Sequence, residues 1–120
     1  MTIPANSIGP NGTLEIEQTF ISNATANNHF FGFNWGGTQF QGGSNPGNAA
    51  QQEFLLKNQG KANRQVMITA AVPYGTAAGP YTTFSIDTTQ TQSVIHQLNL
   101  TVATDWVLML ASRVSIRYAP

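Results

Sequence analysis

The chain contains no cysteine among its 120 residues. That excludes disulfide scaffolds, thiol catalysis and thiolate metal sites. Charge is nearly as scarce: Asp, Glu, Lys and Arg make up 8% of the chain, against about 25% in ordinary globular domains. The five acidic and five basic residues cancel to zero net charge. A nucleic-acid partner calls for a basic face, which this balance does not supply. The longest apolar run, Trp106 to Ala111, is far shorter than the ~18 residues of a transmembrane helix, so no membrane partner is expected. The opening residues Met-Thr-Ile-Pro-Ala-Asn show neither the basic nor the apolar region of a signal peptide, and synthesis in a cytosol, including a host's, is expected. No stretch sustains a 3.6-residue apolar period, so long helices are not expected.

What replaces charge is Asn, Gln, Thr, Ser and Gly. Such a surface is polar yet uncharged, and its groups cost less to desolvate than charges do. A chain without net charge also tends to associate. Both properties suit a protein that lives packed against copies of itself or a partner.

Alternation of apolar and polar residues runs through the whole sequence and marks half-buried strands. Strands are predicted at Thr13–Ser22, Asn28–Trp35, Thr38–Gln41, Ala50–Asn58, Arg64–Val72, Tyr81–Asp87, Gln92–Thr101 and from Trp106 to Tyr118. Gly/Asn/Pro clusters at 42–48, 59–63 and 73–80 separate them. The last strand is apolar on both faces from Trp106 to Ala111 and alternates cleanly from Ser112 to Tyr118. It reads as a central strand that emerges from the core. Eight short strands in one domain predict an all-β, antiparallel β-sandwich, with an eight-stranded jelly roll the leading arrangement and an up-and-down barrel the alternative. Residues 13–120 form this domain. Residues 1–12, with Pro4, Gly9, Pro10 and Gly12, read as an extended N-terminal arm that docks on a partner through Ile3, Pro4 and Ile8.

Residues that could carry chemistry are few. Glu15 and Glu17 share a strand face and read as a solvated pair. Asp87 and Asp105 stand at strand ends, where Asp bonds nearby backbone. His96 alternates with Val94, Leu98 and Leu100 and is expected to face a core or a subunit contact, while His29 lies in an Asn-rich turn. No His-x-His spacing builds a zinc site, no Asp-rich loop builds a calcium site, and neither a Gly-x-Ser-x-Gly elbow nor a phosphate loop occurs. The expectation is a protein without catalytic residues, metal or cofactor.

The densest feature is aromatic. Phe30, Phe31, Phe33, Trp35 and Phe40 crowd one hairpin, and on a strand Phe30 and Phe31 must point to opposite faces. One face is core. The other is a candidate contact surface, joined by Tyr74 and Tyr81 in and after the loop at 73–80. Closed symmetry, as a dimer or a trimer, would cover it. Aromatic and amide content together also admit a sugar-binding module.

Several segments carry a family resemblance. Ile3-Pro4-Ala5-Asn6, Gly9-Pro10-Asn11-Gly12, Leu14-Glu15-Ile16, Asn63-Arg64-Gln65-Val66, Ser85-Ile86-Asp87-Thr88 and the closing Ser112-Arg113-Val114-Ser115-Ile116-Arg117-Tyr118 resemble small virion proteins of tailed bacteriophages. The resemblance implies a β-sandwich, often a jelly roll. It implies a decoration or cement protein that binds the major capsid protein on the capsid exterior, as a homo-oligomer, or else a fibre or tail-tip domain. It implies no catalytic residue.

Overall fold

A computed structural model describes residues 1–23, 25–44, 49–68 and 81–120. It is all-β. Nine strands run in chain order: β1 Thr2–Ile3, β2 Thr13–Ser22, β3 His29–Trp35, β4 Thr38–Ser44, β5 Ala49–Asn58, β6 Gln65–Ile68, β7 Tyr81–Phe84, β8 Gln92–Leu100 and β9 Val107–Arg117. No helix of the described residues is long and apolar enough to cross a membrane.

The strands form two antiparallel sheets, ordered β1-β8-β3-β4 and β7-β6-β5-β2-β9. Five consecutive pairs cross from one sheet to the other: β1 to β2, β2 to β3, β4 to β5, β7 to β8 and β8 to β9. The β2–β3 pair is central, with β4–β5 against one side and β8–β9 against the other.

Parity explains why these residues pair so. In β2, Leu14, Ile16, Gln18, Phe20 and Ser22 are buried while Glu15, Glu17, Thr19 and Ile21 are not. One step of register would expose the whole apolar set, so burial fixes the pairing. Between β3 and β4 the turn Gly36-Gly37 has φ of 55° and 82°. Two positive φ values make the tight hairpin turn that matches strand twist, and glycine adopts them without strain.

The core joins Ile3, Ile8, Leu14, Ile16, Phe33, Trp35, Phe40, Phe54, Leu56, Met67, Ile86 and Val94. Its aromatic centre is Phe33, stacked on Phe40 at 4.6 Å and edge-on to Phe54 at 4.9 Å. Phe31 stacks on Phe20 at 4.3 Å, bridging β3 and β2 across the sandwich.

This core overturns most of the predicted contact surface. Phe31, Phe33, Trp35 and Phe40 are at most 2% exposed. The aromatic crowding fills the space between the sheets, because Phe31, Phe33 and Trp35 share the inward parity of β3 with His29. Only Phe30 points outward, and it is half-buried. Tyr74 and the side chain of Tyr81 lie outside the described residues.

The N-terminal arm is corrected in the same way. It is part of the domain and not a projecting element. Thr2 and Ile3 pair with Ser93 and Gln92, and Ile3 and Ile8 are core residues. The Asn6 N–H donates to Thr88 O at 2.9 Å, Asn11 N–H to Ala119 O at 3.2 Å, and Ala119 N–H to Ile8 O at 3.2 Å. Gly9, at φ 76°, leaves no room for a side chain: a Cβ there would collide with the Ala119 carbonyl oxygen. Pro4 alone of the proposed anchors stays exposed.

Candidate interaction surface

The last strand departs most from its sequence reading. β9 is an edge strand: its ladder to β2 runs from Thr13↔Arg117 to Ser22↔Val107, and no described strand lies on its other side. Its apolar half is also the exposed half. Trp106, Leu108 and Leu110 are 49%, 53% and 55% exposed. The register slips between Thr19 and Phe20, where Thr19 faces Ala111 and Phe20 faces Met109, and this leaves Leu110 as the unpaired residue of a bulge. The alternating half does the packing, with Val114 and Ile116 set against the core.

β8 lies directly across the sandwich from β9. On its far side it pairs with β1 at Gln92 and Ser93, and Val94 exchanges hydrogen bonds with Met1, so that edge is open from Ile95 to Leu100 among the described residues. Parity turns Val94, His96, Leu98 and Leu100 inward, as expected for His96 and its neighbours. Yet Leu98 remains 41% exposed. The registers give the reason. Leu98 is the partner of Phe31 and Met109 the partner of Phe20, so the two flank the Phe20–Phe31 stack from opposite sheets. Among the described residues nothing closes the sandwich beyond them.

Polar contacts stitch this open flank. The His96 ring accepts at Nδ1 from the buried Gln18 amide, whose NH2 also donates to Gly32 O at 3.2 Å. With Nδ1 an acceptor, the ring proton sits on Nε2 and donates to Ser112 Oγ at 2.9 Å. Burial, and secondarily the N-terminal charge, hold the His96 pKa below its ordinary value. A serine beside a histidine invites a nucleophile reading. Here the Gly32 carbonyl fixes the Gln18 amide and thus the tautomer, so His96 gives a proton to Ser112 and does not take one.

The β8–β9 connection is held by Asp105, which is 8% exposed. Its carboxylate accepts from Asn23 Nδ2 at 3.0 Å, Thr25 Oγ1 at 3.2 Å and Asn27 Nδ2 at 2.8 Å, and His29 Nε2 stands 3.4 Å away. The Asn23 hydrogen bond leads in lowering its pKa, against burial, with Asn27, Thr25 and the His29 charge adding to it. Asn23 Oδ1 also accepts the Trp106 N–H at 2.9 Å, which fixes the chain where the apolar edge begins. Asp105 is therefore a long-range anchor and not the local turn residue expected. The sequence signal for it is the alternation Asn23-x-Thr25-x-Asn27-x-His29, four hydrogen-bonding side chains at every second position.

The outer face of the five-stranded sheet collects charge. Glu15, Glu17, Glu53, Lys57, Arg113 and Arg117, six of the chain's ten charged residues, share it. Arg113 bonds both Glu15, at 3.1 Å, and Glu17. The other sheet carries none: β1, β3, β4 and β8 contain no Asp, Glu, Lys or Arg. Among the described residues no group of three or more His, Cys, Asp or Glu could hold a metal ion. No family model matches the chain, and no match is found among curated proteins or solved structures.

Proposed function

We propose that this chain is a non-enzymatic structural protein that assembles with copies of itself through the flank formed by β8 and β9. The observation that carries the reading is the apolar Trp106–Leu110 segment, half-exposed on a strand edge that no described strand pairs. Natural edges are blunted by charge, and large apolar residues gathered at an edge favour association. The chain's absence of net charge works in the same direction.

Another copy of the chain is the occupant that suits this edge. From Trp106 to Ser112 the strand bears no charge, so antiparallel pairing across a two-fold axis meets no like-charge repulsion there. Arg113 and Arg117 lie in the other half and are engaged by Glu15 and Glu17. The resemblance to small tailed-phage virion proteins supplies the setting: a decoration or cement protein on the capsid exterior, whose assembled unit grips the major capsid protein.

Two measurements test this. Sedimentation of the isolated chain at micromolar concentration should give a dimer, and a double Leu108→Lys, Leu110→Lys variant should be a folded monomer. A stable wild-type monomer would remove the assembly reading. Mass spectrometry of purified particles should find copies in proportion to the capsid lattice. Absence from the particles would remove the virion setting while leaving the assembly result to stand by itself.

A further inference from the structure

The geometry points to a separate site, on the outer face of the four-stranded sheet, that binds a neutral carbohydrate. It begins with parity. The outward residues of β3 are Phe30, Gly32 and Asn34. Gly32 contributes no side chain, so the sheet surface dips there. Across the ladders Gln97 is the partner of Gly32, Asn99 of Phe30 and Gln39 of Asn34. Phe30, Gly32, Gln39, Gln97 and Asn99 line the resulting open concavity.

The chemistry of that lining selects the ligand class. Gln39, Gln97 and Asn99 are exposed amides, each able to donate and accept. A sugar hydroxyl also does both, so amides and hydroxyls can pair in either direction. Phe30 offers a half-exposed ring as an apolar wall against which the C–H face of a pyranose can lie. A few placed polar groups around an apolar wall are what a small-ligand site requires. Charged ligands are disfavoured, because no strand of this sheet supplies a counter-charge. The site is distinct from the β9 edge: it uses the outward face of β8, whereas the assembly flank uses the inward face of β8 and the free edge of β9.

The test uses the intact chain, 15N-labelled, titrated with cellobiose, maltose and lactose, and with sialyllactose as a charged control. At least one neutral disaccharide should shift the amide resonances of Gly32, Gln97 and Asn99, with a dissociation constant on the order of 1 mM. Sialyllactose should bind no better than lactose. The exposed double variant Gln97→Ala, Asn99→Ala should keep the wild-type spectrum elsewhere and weaken binding by roughly tenfold. Shifts centred on other residues, unaltered affinity in the double variant, or no response to any of the three sugars would overturn the proposal. The oligomeric state, measured in parallel, reports on the assembly flank and not on this site.

Discussion

Residues 1–12 and the Trp106–Leu110 segment exchange the places their sequences suggest. Residues 1–12 have the composition of an arm meant for a partner, yet the two isoleucines among them are 2% and 1% exposed. Trp106–Leu110 has the pattern of a doubly buried strand, yet about half of each of Trp106, Leu108 and Leu110 meets solvent. The difference lies in what each segment finds within its own chain. Ile3 and Ile8 fit a space between sheets, and the backbone around them pairs with β8, the 86–88 segment and the C-terminus. Among the described residues the first half of β9 has a neighbouring strand on one side only, and none of them covers Trp106, Leu108 and Leu110. An apolar segment satisfied internally stabilises the fold; one left over is available for assembly.

The comparison breaks first at the N-terminus. Deleting residues 2–10 should unfold the domain, because it removes two core side chains and strips hydrogen-bond partners from Thr88 and Ala119. A milder probe is Ile8→Ala, for which a loss of about 2–5 kcal/mol is expected from a fully buried site. Urea unfolding measures it. A truncated chain that melts like the full one would restore residues 1–12 to the role of a detachable arm.

Acid gives a smaller effect, and it acts at the joint between the two regions. His96 has a folded pKa below 6.5, so the unfolded chain takes up its proton first, and stability falls as pH drops through that window. Asp105 also has a folded pKa lowered, from 3.8. For a carboxylate, the stabilisation is present above the unfolded value and is lost as pH falls through the folded one. The expected curve of melting temperature against pH therefore declines in two steps, one below about 6.5 and one below about 3.8. His96→Asn should abolish the upper step and leave the lower. If the upper step survives, the Gln18–His96–Ser112 chain is not its source.

Strand positions are legible in the sequence because alternation and glycine turns are local signals. β2 is predicted at its observed bounds, and β3, β5 and β8 to within a residue. Assembly of the strands is not legible, because pairing joins residues far apart in sequence. Nothing within residues 106–118 says that β9 has one neighbour and not two among the described strands. The same limit hides the core role of Phe31, Phe33 and Trp35, which exceed one face only if the opposing sheet brings too little volume. Phe20 and Phe54 meet Phe31 and Phe33 across the sandwich, as Phe84 meets Phe40. Asp105 escapes a local reading for a related reason: its four partners lie 76 to 82 residues earlier in the chain.

The smallest effect on stability, and the sharpest on assembly, is expected at Arg113. Its side chain is 62% exposed, and Glu15, one of its two acidic partners, keeps Arg117 at 3.9 Å when Arg113 is removed. Exposed ion pairs contribute little, so Arg113→Gln should melt with the wild type. The residue lies on β9 directly after the uncharged half, where charge is a common guard against unwanted strand addition. A two-fold pairing of β9 must keep the two copies of Arg113 from facing each other, which confines it to the Trp106–Ser112 stretch. Replacing Arg113 with Gln removes that restraint, so the dimer should tighten several-fold in sedimentation at low salt and the gap from wild type should close as salt is added. A weaker dimer would mean that Arg113 meets an acidic group of the other copy, and the apolar edge would then be only part of the contact.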